Sequence, residues 1–330
     1  MKIGILGCGN WGSVFGIIQH KKGHLIRIWE FEKARAIRVQ ATRNNRPFLT
    51  GYKLPKGIKV NWDIRRVIED VDVIVFALPS QVLRPVVNTM RRIKLHANQY
   101  LSLIKGIDMI TLQRPSEIIA EIPAAKNNVY VLSGPSIANE IIRGEPTAVV
   151  LVGPNKKRAR ALQYQFATDA FRIYLGTDII GVELGGAIKN VLALACGISD
   201  GLGFGTNAKG AIISRGIVEM QRLGTKMGAA ANTFWGLSGL GDLITTACSE
   251  ESRNHRFGRE LGKGRNSEQI KKKMVMVAEG VPTARAVKIL ADKLHIEMPI
   301  CRVVYDILYK NKPPRRCLKE LMGRSLKKEG

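Results

Sequence analysis

The apolar stretch Lys2-Ile3-Gly4-Ile5-Leu6 runs directly into Gly7-Cys8-Gly9-Asn10-Trp11-Gly12 and then into a helical pattern, and this junction restricts the fold more than any other feature of the chain. The order is strand, tight turn, helix. Gly7 permits the turn, Gly9 admits a pyrophosphate close to the backbone, and Gly12 lets the helix pack against the strand. Unpaired amides at the helix start, with the positive end of its dipole, favour an anion there. A second apolar strand, Leu25-Ile26-Arg27-Ile28-Trp29, ends on Glu30, at the ~20-residue distance expected of an acid that binds a ribose hydroxyl. Glu30 should therefore favour NAD over NADP, whose 2′-phosphate it would repel. Lys33 and Arg35 lie a few residues on, where a rotated side chain could pair with that phosphate.

The first half continues to alternate strands with helices. Strands are expected near Ile58–Val60 and over Val71–Leu78, Tyr100–Ile104, Val129–Leu132, Thr147–Val152 and Phe171–Leu175. The near-continuous apolar run Val71–Leu78 fits a parallel strand covered on both faces. Ser80 is placed to cap the helix that follows it. Lys105-Gly106 stands at the carboxyl end of one strand, and Ser133-Gly134-Pro135-Ser136-x-Ala138-x-Glu140 leads out of another. Ligands in open α/β sheets gather at such strand ends. Beyond Gly176 the strand signal vanishes, so the pattern predicts an α/β architecture: a Rossmann-type dinucleotide-binding domain over residues 1–176 and an all-helical domain over 177–330.

In the second half, Leu184, Ala187, Ile188, Val191, Leu192 and Ala195 keep helical spacing, and Lys189 sits at the border of that stripe. A lysine so placed either snorkels to water or has its pKa lowered by desolvation until it exchanges protons near neutrality. Gly239-Leu240-Gly241-Asp242 presents a carboxylate on a glycine loop. Ser252 can cap a short helix whose first turn holds Arg253 and Asn254, a combination suited to an anion.

The formal charge of +25 comes from basic residues spread along the chain. Short runs such as Lys156-Lys157-Arg158, Lys271-Lys272-Lys273 and the stretch from Lys310 to Lys328 read as solvated helix faces rather than as a nucleic-acid tract. Steering of anionic small molecules is the more economical use of such charge. No apolar run is expected to reach the ~20 residues of a membrane span, and cleavage of a leader would destroy the glycine turn, so a cytoplasmic protein without a stable membrane anchor is expected. Cys8, Cys196, Cys248, Cys301 and Cys317 are odd in number and scattered, which argues for reduced, mostly buried thiols and against a metal site.

Taken together, Gly7-Cys8-Gly9-Asn10-Trp11-Gly12, Lys105-Gly106, Ser133-Gly134-Pro135-Ser136, Glu183-Leu-Gly-Gly-Ala-Ile-Lys189-Asn190, Gly239-Leu-Gly-Asp242 and Ser252-Arg253-Asn254-x-Arg256-Phe257-Gly258 resemble the motif series of bacterial NAD(P)-dependent glycerol-3-phosphate dehydrogenases. The resemblance implies interconversion of dihydroxyacetone phosphate and sn-glycerol 3-phosphate for phospholipid synthesis, with NAD or NADP as cofactor and a homodimeric assembly. It implies Lys189 as the proton acceptor in alcohol oxidation. It assigns Lys105, Gly134, Ser136, Asp242, Ser252, Arg253 and Asn254 to the phosphorylated substrate. Asn10, Trp11, Lys105, Ala138, Arg253, Val277 and Glu279 would touch the cofactor. Another two-domain hydroxyacid dehydrogenase, a ketopantoate reductase, or a non-catalytic NADH sensor that binds nucleic acid are the competing readings.

Overall fold

A computed structural model describes residues 1–274 and 276–325; the last residues of the basic stretch from Lys310 to Lys328 lie outside the described residues. Eight strands form one sheet: β1 Lys2–Leu6, β2 Leu25–Trp29, β3 Lys59–Asn61, β4 Val73–Phe76, β5 Gln99–Ser102, β6 Val129–Ser133, β7 Thr147–Val152 and β8 Phe171–Leu175. Their order is β3-β2-β1-β4-β5-β6-β7-β8. All neighbours are parallel except β6 and β7. The chain winds outward from β1 to β3 and then returns to lay β4 on the other side of β1. That reversal makes a crevice beyond the carboxyl ends of β1 and β4.

The alternation of side chains across the sheet explains why β4 is apolar throughout. Val73 and Val75 join a core with Ile3, Ile5, Phe15 and Val14 on one face. Ile74 and Phe76 join Leu6, Leu83, Val87 and Ile118 on the other. Helices cover both faces, so neither set can be polar.

After β8 the described chain is helical. The helix Ile179–Gly201 is buried on almost every side and forms the axis of a third core with Ile217, Phe234, Leu243, Phe257 and Val287. Its backbone touches that of the helix Arg253–Gly262: a Cβ on Gly197 would lie 2.1 Å from the His255 carbonyl oxygen, and one on Gly258 would lie 2.2 Å from that of Leu194. This close crossing brings residues 189–190 beside residues 253–254.

Two expectations need correction. The 23-residue helix Ile179–Gly201, whose most apolar window has a mean hydropathy of 1.6, is long and apolar enough to cross a membrane, although 89% of that window is buried within the fold. Its apolar surface is taken up by neighbouring helices rather than left for lipid. Ser80 does not cap its helix by side chain; a short 3-10 turn, Ser80–Val82, precedes the helix Leu83–Met90. The Ser80 amide and hydroxyl instead donate to Glu279, at 3.0 and 2.5 Å. A partly buried carboxylate from the helical half of the chain outcompetes the local cap. Of the five thiols, four are buried and Cys248 is exposed, and none is paired.

Candidate active site

The glycine turn stands at the crevice with the geometry its spacing implies. Gly7 has a φ of +120°, which a side chain would oppose, and a Cβ on Gly12 would lie 2.1 Å from the Gly7 carbonyl oxygen. A Cβ on Gly9 would meet nothing within 4 Å, so the space above it is open to a ligand. The helix Asn10–Lys21 starts without a side-chain cap. Asn10 Oδ1 is buried without a hydrogen-bond partner. Bare amides and an unused acceptor fit a dinucleotide. Trp11 packs edge-on to Phe15, with centroids 6.0 Å apart, and Ala138 opens the short helix Ala138–Ile142 beneath the same layer.

Glu30 does not point to solvent. It is 2% exposed and its Oε2 lies 2.7 Å from Arg35 Nη1. Burial raises its pKa, and the Arg35 charge opposes that rise. Without such a rotation Arg35 is turned away from a 2′-phosphate: its guanidinium is engaged by Glu30, by the Cys8 carbonyl and by Asn45. Lys33 instead lies over the Trp62 ring, 4.8 Å from its centroid.

At the other end of the crevice two ammonium groups converge on one carboxylate. Asp242, 1% exposed, accepts from Lys189 Nζ at Oδ1 and from Lys105 Nζ at Oδ2, each at 2.7 Å. Lys105 also donates to Gly134 O at 2.8 Å and to Ser136 Oγ at 3.0 Å. Lys189 does not snorkel; it is 6% exposed and donates to Thr246 Oγ1 at 2.6 Å. Burial lowers its pKa to about 8, against the attraction of Asp242 and with the repulsion of Lys105. Such an ammonium gives up and regains a proton near neutrality.

A chain of amides ties this centre to the anion-type helix start. Asn190 Nδ2 donates to Lys105 O at 3.0 Å, Asn254 Nδ2 donates to Asn190 Oδ1 at 2.8 Å, and the Gly280 amide donates to Asn254 Oδ1 at 2.9 Å. Ser252 Oγ accepts from the His255 amide at 3.2 Å, so it caps the helix. Arg253 Nη1 donates to Val277 O at 3.1 Å, and the Val277 side chain is half-exposed. Glu279 is turned toward Ser80; burial raises its pKa while the two Ser80 bonds and Arg253 oppose the rise. Thr246 and Asn190 join the centre although the motifs assign them no role. Thr246 follows Asp242 by four residues on the helix Asp242–Cys248, a spacing that places both on one face.

A glycine-loop sheet whose crevice faces a buried, carboxylate-held lysine has the build of a two-domain nicotinamide-dependent dehydrogenase. Residues 2–159 match the model for the N-terminus of NAD-dependent glycerol-3-phosphate dehydrogenase and residues 178–319 the model for its C-terminus; the chain belongs to that family. A Geobacter sp. (strain M21) protein named glycerol-3-phosphate dehydrogenase (NAD(P)+) is 43% identical, covering 100% of this chain and 99% of the relative. The crystal structure of glycerol-3-phosphate dehydrogenase from Coxiella burnetii matches with a TM-score of 0.93 at 35% identity, over 98% of this chain and 99% of that one. A ketopantoate reductase from Ralstonia eutropha shares the fold alone, with a TM-score of 0.61 at 12% identity over 98% of this chain and 100% of that one.

Proposed function

We propose that the chain interconverts dihydroxyacetone phosphate and sn-glycerol 3-phosphate, working as a ketone reductase that supplies glycerol phosphate for phospholipid synthesis. The observation that carries this reading is Asp242 holding Lys189 and Lys105 by opposite oxygens in the crevice. A bound NAD or NADP supplies or accepts the hydride. Gly7, Gly9, Asn10, Trp11 and Gly12 hold its pyrophosphate end, Glu30 meets the ribose, and Ala138, Arg253, Val277 and Glu279 line its course toward the substrate.

In the reducing direction, Lys189 Nζ as an ammonium donates a hydrogen bond to the ketone oxygen and transfers its proton as that oxygen gains charge. In the oxidising direction, neutral Lys189 takes the hydroxyl proton. Asp242 keeps Nζ aimed at the crevice and steadies the cationic form. Lys105, with Gly134 and Ser136, faces the substrate from the sheet side. Ser252, Arg253 and Asn254 offer the phosphate a guanidinium and a helix start. Buried polar groups built for a phosphate disfavour substrates that lack one. We place the enzyme in the cytoplasm as a homodimer, with its basic surface steering anionic ligands rather than binding nucleic acid.

The test is NADH oxidation on addition of dihydroxyacetone phosphate, with 2-keto acids in parallel. Turnover with the phosphorylated ketone alone supports the reading. Turnover only with a 2-keto acid, or salt-sensitive DNA retention without turnover, would replace it.

A further inference from the structure

Behind the glycine turn lies a closed polar knot that the reaction scheme does not use. The Cys8 carbonyl oxygen accepts two hydrogen bonds, from Arg35 Nη2 at 2.8 Å and from Asn45 Nδ2 at 2.9 Å. Asn45 is fully buried. Its Nδ2 also donates to Ser13 Oγ at 2.8 Å, and its Oδ1 accepts from Arg35 Nη2 at 2.7 Å. Its own carbonyl oxygen accepts from the Phe48 and Leu49 amides, each at 2.9 Å. The Arg35 guanidinium lies over the Phe48 ring, 4.0 Å from its centroid, while its other terminal nitrogen holds Glu30.

A trans peptide directs its C=O and its N–H to opposite sides. Two donors drawing the Cys8 oxygen inward therefore aim the Gly9 amide away from the knot, and a Cβ on Gly9 would meet nothing within 4 Å. The peptide joins Cys8 to Gly9, and the freedom of Gly9 would otherwise let it turn over. We infer that Arg35 and Asn45 are positioning residues for the dinucleotide: they fix the Cys8–Gly9 peptide with its amide toward the pyrophosphate, and Arg35 in the same contact fixes the ribose-facing Glu30. The inference rests on the dinucleotide reading of the glycine turn. Holding the turn before the ligand arrives removes an ordering cost from binding.

The experiment compares NADH affinity, by fluorescence titration, in the unaltered chain, Asn45→Ala and Arg35→Lys, alongside kcat and the KM for dihydroxyacetone phosphate. Both variants should weaken NADH roughly tenfold, the scale of one positioned hydrogen bond, with kcat at saturating NADH and the substrate KM unchanged. Arg35→Lys keeps the charge beside Glu30 but cannot serve Glu30, Cys8 and Asn45 together, so a role in charge alone predicts rescue, and rescue would overturn the inference. A lower melting temperature with unchanged NADH affinity would also overturn it. Should a variant fail to fold, the Gly9 amide NMR signal of the unaltered chain decides: it should shift on adding NADH, and an unmoved signal contradicts the proposal. Absence of NADH binding to the unaltered chain would instead refute the dinucleotide reading itself.

Discussion

The two ends of the crevice are built from different materials. The cofactor end is backbone: a turn whose glycines lie within six residues, Gly7 to Gly12, and a helix start with no side-chain cap. The substrate end is side chain: Lys105 and Lys189 reach Asp242 from 137 and 53 residues away. A site made of backbone fails when a Cβ is added, whereas a site made of charge fails when a charge is removed.

Lys189→Ala should give the largest effect, a fall in kcat of about 10²–10⁴, the range for a general acid–base group. NADH affinity should hardly move. An equal loss in both would mean that the two ends are not separable. Arg253→Ala comes next: losing a charge-assisted contact worth roughly 1.5–3 kcal/mol should raise the KM for the phosphorylated substrate about ten- to a hundredfold. An unchanged KM and rate would remove Arg253 from the site.

Gly12→Ala probes the opposite material. Its Cβ would press on the Gly7 carbonyl oxygen at 2.1 Å, and the forced shift, about 1–3 kcal/mol, should appear in NADH affinity and not in the substrate KM. Smaller again is Glu30→Gln, expected to change the ratio of kcat/KM for NADH to NADPH by a few-fold toward NADPH, about 1 kcal/mol of altered charge contact. A ratio that does not move would show that Glu30 is not the discriminator.

The same contrast governs what could be read from the sequence. The glycine turn and the strands β1, β2 and β4 were legible because their signals are local: spacing within one turn, and apolar runs set by burial on both faces. The substrate end supplied its residue types but not its contacts. Whether Lys189 snorkels depends on what covers the helix Ile179–Gly201, and that cover comes from other helices. Ser80 followed a sound capping rule that a carboxylate 199 residues away overrides. The spacing offers Arg35 as a cation that could rotate toward a 2′-phosphate; the inward Cys8 carbonyl and the buried Asn45 that engage it leave no mark in sequence spacing.

The pH dependence of kcat/KM in both directions, for the unaltered chain and for Lys189→Ala, tests the proton-transfer role of Lys189 most directly. With a pKa lowered by burial to about 8, the ammonium needed for ketone reduction is lost as pH rises through that value, and the amine needed for alcohol oxidation is gained. The reductive rate should therefore fall above about pH 8 while the oxidative rate climbs to a plateau, and Lys189→Ala should lose both inflections. Profiles that move in the same sense in both directions, or inflections near 8 that survive in Lys189→Ala, would contradict it.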